Sequence, residues 1–305
     1  MPVPAPQLSD NAPAIQWYPG HIAKAEKALR EALAKVDLVI EVRDARIPLA
    51  TGHPRLQRWM TGKHHLLALN RRDMVPAAAR EAWDGWFRER GQPVWWCDAK
   101  VGTGVKQLQQ AAIRAGDALN ARRRERGMRP RPVRALMLGF PNVGKSALIN
   151  RLVRQKVVES ARRAGVTRSL RWVRLGQELD LLDAPGVLPP RLDDQQAGLL
   201  LALCDDIGQA AYDSEAVALA FLALLSRLEA SPESGASVGL LEQRYGNPLD
   251  DLPTGEPDSE GWLAAAAARH TSGDTLRMAT KLLDDFRCSR LGAIALELPG
   301  PLLAA

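Results

Sequence analysis

The chain is poor in cysteine. Cys97, Cys204 and Cys288 are all it has in 305 residues, and they lie too far apart for a zinc-ligand spacing or a disulfide framework. That scarcity suits a reducing compartment. Long apolar runs are missing too: the longest, Ala216 to Leu225, is too short to span a bilayer. Met1 to Asn11 is Pro-rich and uncharged until Asp10, with neither an apolar signal core nor an Arg-rich transit helix. No internal repeat is visible, which argues against a solenoid. These absences predict a soluble, cytoplasmic protein with no membrane partner.

The length fits one large domain or two ordinary ones, and 46% hydrophobic residues supply a core. A net charge of +6 permits a polyanionic partner without demanding one.

The most informative stretch is Gly139-Phe-Pro-Asn-Val-Gly-Lys-Ser146, which fits G-x-x-x-x-G-K-[ST], the phosphate-cradling P-loop. The apolar run Val133 to Leu138 before it reads as a buried strand, and Ala147 to Val153 after it has helical spacing. Its glycines let the backbone wrap a phosphate, and amides from Asn142, Val143 and Gly144 through Lys145 and Ser146 to Ala147 can then face the anion. The helix amino terminus adds partial positive charge. Lys145 is expected to reach the β- and γ-phosphates and Ser146 to ligate Mg²⁺.

Upstream, apolar runs alternate with helical spacing. Asp37 to Asp44, Leu66 to Leu69 and Pro93 to Cys97 read as strands; Ile22 to Leu33, Ala77 to Arg90 and Val105 to Leu119 read as helices. Alternation of this kind predicts a parallel α/β sheet, in which ligands gather at the carboxyl ends of strands. One strand ends in Asn70-Arg71-Arg72-Asp73. A buried Asp73 carboxylate there would accept both adjacent N–H donors of guanine, a pair adenine lacks. Asn70 would brace the loops. A second strand ends in Asp98-Ala99-Lys100, where the Ala99 amide can meet the guanine carbonyl and the Lys100 stem can cover the base. Between the halves, Arg122 to Pro132 is a basic, Pro-containing connector, read either as a solvated linker or as a phosphate-backbone contact.

Beyond the P-loop, Ala164 to Ser169 reads as a mobile loop carrying Thr167. A hairpin over Leu170 to Leu182 then ends in Asp183-Ala-Pro-Gly186, with the D-x-x-G form of a switch. Asp183 would hold Mg²⁺, Thr167 would reach Mg²⁺ and the γ-phosphate, and the Gly186 amide would meet the γ-phosphate. From about Asp193, four helix-like segments (Gln195 to Cys204, Ser214 to Leu228, Trp262 to Arg269, Thr275 to Phe286) and a long polar loop at Gly246 to Gly261 predict a mostly helical second domain. The expected boundaries are 1–14 for a flexible arm, 15–190 for a P-loop GTPase domain and 191–305 for the helical domain.

The base-reading motifs come before the phosphate motifs, the reverse of a Ras-like chain. With Ile15-Gln-Trp-Tyr-Pro-Gly-His21 ahead and a helical tail behind, the constellation resembles the circularly permuted GTPases of the YlqF/RbgA family, from about Ile15 to Glu297. Arg71, Ala184 and Asp98 depart from that family's N-K-x-D, D-T-P-G and serine-containing motifs. The resemblance implies GTP hydrolysis to GDP in late assembly of the large ribosomal subunit, with the C-terminal domain on rRNA. It nominates His21 as the group that positions water, since Val187 cannot. It also marks Asn142 as similar to GTPases that use K⁺ in place of an arginine finger. A monomer is expected. A permuted GTPase acting on another RNA or subunit, and a nucleotide-binding RNA scaffold with little turnover, are the alternatives.

Overall fold

A computed structural model describes residues 15, 29–53, 56–60, 62–153, 171–184 and 194–300. The arm expected over 1–14 and most of the helix expected from Ile22 lie outside them. The chain divides into two compact units, one of residues 18–72 and 87–191, the other of 1–17, 73–86 and 192–305.

The first unit is built on a six-stranded sheet. In chain order its strands are β1 (Leu38–Asp44), β2 (His64–Asn70), β3 (Val94–Trp96), β4 (Val133–Leu138), β5 (Arg171–Leu175) and β6 (Leu179–Asp183). Across the sheet they run β3-β2-β1-β4-β6-β5. All neighbours are parallel except β5 and β6, which form the expected hairpin. The central strands are apolar on both faces, as buried parallel strands must be. Val39, Leu136 and Leu182 share one cross-strand row and face a cluster with Leu29, Leu33 and Val36. The helix expected to end at Leu33 is helical over 29–33.

Helix α1 (Ala77–Glu89) follows β2, and α2 (Val105–Ala115) crosses from β3 to pack on β1, β2 and β4. The single helix expected over Val105 to Leu119 is interrupted. It stops at Gly116, and α3 (Asp117–Glu125) starts immediately after. A Cβ on Gly116 would lie 1.8 Å from Val133 Cγ2, so the chain passes β4 only where the side chain is missing. The connector expected from Arg122 is therefore helical over its first residues. Helix α4 (Lys145–Val153) leaves the P-loop.

The second unit is helical: α5 (Gln195–Leu203), α6 (Ser214–Leu228), α7 (Gly239–Tyr245), α8 (Ser259–His270) and α9 (Thr275–Arg287), with α1 through Trp86 belonging to it. Asp194, Asp213, Asp258 and Asp274 cap the amino ends of α5, α6, α8 and α9 by accepting from free backbone amides. The Asp258 cap starts α8 ahead of the expected Trp262. Helix α7 went unpredicted because it is short and rests on tertiary contacts. Buried Asp285 on α9 holds it, accepting from Tyr245 Oη at 2.8 Å and Arg244 Nε at 2.9 Å. Buried Arg287 donates to the Ala202 and Leu203 carbonyls that end α5. The polar stretch before α8 contains a bridge between Asp251 and Pro257. Buried Trp83 donates Nε1–H to the Glu297 carbonyl at 3.2 Å, which ties α1 to the last described segment.

Candidate nucleotide-binding site

Because β1, β2, β3, β4 and β6 are parallel, their carboxyl ends share one edge of the sheet. The chain works outward from β1 to β3, then resumes at β4 on the other side of β1. Strand order therefore reverses between β1 and β4, the place where open α/β sheets hold ligands. The P-loop leaves β4 at that point.

Asn70, the last residue of β2, joins two loops. Its Nδ2 donates to the Val143 carbonyl of the P-loop at 2.9 Å, and its Oδ1 accepts from the Ala99 amide at 3.1 Å. Gly144 makes this possible. Its φ of +95° suits a residue without a side chain, and a Cβ there would lie 2.1 Å from Asn70 Nδ2. Lys145 opens α4 with its ammonium turned back onto the Gly139 and Phe140 carbonyls, at 3.1 and 2.7 Å. Ser146 and Ala147 follow, half-buried in the first turn. The open amino end of α4 and the loop amides around it favour an anion.

Arg71 occupies the position where the resembled family has lysine. Its guanidinium donates from Nη2 to the Asn142 carbonyl at 2.6 Å and pairs through Nη1 with Asp44 Oδ2 at 3.2 Å. A fork can span two acceptors where a single ammonium would be a point charge. Asp44, at the end of β1, is fully buried and also takes both Nε and Nη2 of Arg46, at 3.0 and 2.7 Å. Burial would raise its carboxyl, but Arg46 and then Arg71 hold it below its ordinary range. Asn142 carries φ 56°, and the bond from Arg71 fixes its carbonyl. Sequence reading missed Asp44 and Arg46 as parts of the site; a carboxylate ending a central strand was the available signal.

One expectation changes here. Asp73 is exposed, not buried, because the chain leaves the sheet edge in a 3-10 turn over Arg72–Met74. Asp98 spends its carboxylate on its own loop, with Oδ1 accepting from the Lys100 and Val101 amides at 2.7 and 3.1 Å. Lys100 is exposed, and its carbonyl accepts from Arg151 of α4. Arg72 is half-buried with its amide on the Cys97 carbonyl.

Asp183 ends β6 fully buried, and among the described residues neither carboxylate oxygen has a hydrogen-bond partner. Burial pushes its carboxyl up to about 6, against the pull of Lys145 and Arg171. A desolvated carboxylate with two unused oxygens suits a cation. His21, Thr167 and Gly186 lie outside the described residues. No described helix is long and apolar enough to cross a membrane.

Comparison with known proteins agrees with this arrangement. The sequence model of a family described as 50S ribosome-binding GTPase matches residues 134–224. Ribosome biogenesis GTPase A of Bacillus cereus is 37% identical over 213 residues, covering 70% of this chain and 72% of that protein. The Bacillus pumilus protein of the same name is 31% identical over 288 residues, covering 93% and 99%. Among solved structures, GDP-bound TM YlqF matches with a TM-score of 0.59 at 20% identity, covering 89% of this chain and 98% of that one. GNP-bound YlqF from T. maritima gives 0.55 at 20%, covering 90% and 98%. At that identity the structures speak for the fold, and along the chain β1, β2 and β3 come before the P-loop. Sequence and fold together establish that this chain belongs to the ribosome biogenesis GTPase A family and carries the circularly permuted GTPase fold of YlqF.

Proposed function

We propose that this protein hydrolyses GTP to GDP and phosphate in late assembly of the large ribosomal subunit. The observation that carries the reading is Asp183, a buried carboxylate with unused oxygens at the same sheet edge as the P-loop. With Ser146 and Thr167 it would hold Mg²⁺, which would neutralise charge on the β- and γ-phosphates. Lys145 would exchange the Gly139 and Phe140 carbonyls for the same phosphates. Asp73 would accept the two guanine N–H donors, its desolvation coming from the base laid over it. The Ala99 amide, now on Asn70 Oδ1, would turn to the guanine carbonyl, and the stems of Arg71 and Lys100 would flank the ring.

The resemblance supports His21 as the residue that orients the attacking water and Asn142 as the holder of K⁺. The reading keeps 15–190 as the GTPase domain and gives 191–305 the rRNA contact, in a cytoplasmic monomer. From Asp183 the chain runs directly toward the helices, so loss of the γ-phosphate would alter their grip on RNA.

Cosedimentation with separated ribosomal subunits tests this. Retention on the large subunit with a non-hydrolysable GTP analogue, and release with GDP, is expected. Retention on the small subunit alone, or equal retention in both nucleotide states, overturns it. His21→Ala should bind GTP normally and turn it over at least 100-fold more slowly on the subunit. Unchanged turnover removes His21 from the mechanism.

A further inference from the structure

We infer that the first unit carries an RNA-backbone contact of its own, on the basic connector ahead of β4 and the outer edge of the sheet. The surface consists of Arg122, Arg124, Arg126, Arg129, Arg134 and Trp172. The inference deepens the ribosome reading by naming a second point of contact, outside the helical unit.

Charge is the first observation. Residues 117–134 hold seven arginines against two carboxylates, a net of +5 in a chain whose total is +6. Rigidity is the second. Arg131 is clamped between the Asn120 amide and carbonyl oxygen at 3.0 and 3.1 Å, and a pair of 2.8 Å bonds ties its guanidinium to Asp37. Arg123 donates Nε–H to the Arg129 carbonyl at 3.0 Å. Those two arginines are spent on folding the connector back against α3. Arg122, Arg124, Arg126 and Arg129 are left exposed, with no ion-pair partner among the described residues. The backbone that carries these four guanidinium forks is fixed, so only their side chains remain to be ordered on phosphates.

The third observation is Trp172, 44% exposed on edge strand β5 with the Arg134 guanidinium 5.7 Å from its ring. Arg171 and Arg174 account for protection of an edge strand; an exposed tryptophan between them does the opposite. Trp172 is a base-stacking platform beside a cationic track, the arrangement that holds single-stranded nucleic acid. Placement is the last point. Arg134 is the second residue of β4 and the P-loop leaves the other end, roughly 13 Å further along at ~3.3 Å per residue. Trp172 stands opposite Leu182, one residue short of Asp183, so the surface runs from the connector along the outer edge of the sheet toward the nucleotide edge.

The test uses the full chain with bound GDP and a fluorescent 20-nucleotide single-stranded RNA, titrated at several salt concentrations. Each phosphate neutralised on a single strand contributes about −0.7 to the slope of log affinity against log salt. The combined variant Arg122→Gln, Arg124→Gln, Arg126→Gln and Arg129→Gln should flatten that slope by about 3. Trp172→Ala should weaken binding between about 5- and 150-fold with the slope unchanged. GDP affinity, the check on folding, should stay within twofold in both. An unaltered slope in the arginine variant overturns the surface while leaving the ribosome reading intact. Wild-type binding to anionic phosphatidylglycerol vesicles in preference to RNA also overturns it. Loss of RNA binding in the variant, in a protein that cosediments with neither subunit, supports the surface and removes the ribosome reading.

Discussion

Replacing Asp183 by asparagine should stabilise the protein while removing its response to Mg²⁺. The native carboxyl is raised from its ordinary 3.8 to about 6, chiefly by burial. At ~1.4 kcal/mol per pH unit, that difference is worth about 3 kcal/mol. The sign follows from linkage. A raised folded-state value means the stability attached to Asp183 is complete below pH 3.8 and is lost as pH rises through about 6. Above pH 7 the wild type therefore bears the whole cost of an ionised, unbonded carboxylate, whereas the isosteric amide bears none. Urea unfolding without nucleotide or Mg²⁺ should show Asp183→Asn ahead by about 3 kcal/mol at pH 8 and by about half that at pH 5. Adding Mg²⁺ to the GDP-bound protein should then raise the stability of the wild type but not that of the variant. A variant no more stable than wild type at pH 8 would refute the claim that this carboxylate is held at a cost for a cation.

Other changes probe the supports of the site. Arg71→Met removes the guanidinium that spans Asp44 and the Asn142 carbonyl, and should speed release of a fluorescent GDP analogue about tenfold; a charge-assisted bond is worth about 1.5–3 kcal/mol. Asp44→Asn should add nothing further to release in that background, because its effect on the P-loop passes through Arg71. Gly144→Ala forces a side chain into φ +95° and onto Asn70 Nδ2. It should cost about 2–3 kcal/mol and abolish GDP binding, as measured by thermal unfolding and titration calorimetry. Arg287→Ala strips two carbonyls at the end of α5 of a buried donor. Destabilisation of about 3 kcal/mol is expected by urea unfolding, with GDP affinity within twofold of wild type.

Local chemistry made much of this legible in the sequence. The P-loop, the strand before it and the helix after it are set by neighbouring residues: an apolar run, two glycines, then helical spacing. The aspartates that cap α5, α6, α8 and α9 work the same way, through the amides two or three residues on. What tertiary structure decided are the contacts made across the sheet. Gly116 breaks a helix because Val133 passes beside it, and Asp73 is exposed because the chain turns away from the edge. The role of Arg71 depends on two acceptors, one 27 residues before it and one 71 after it, that meet only once β1, β2 and β4 pair. Motif order could establish that the GTPase sheet is permuted. Only the paired strands could show that an arginine, in the family's lysine position, holds the phosphate loop against a buried aspartate.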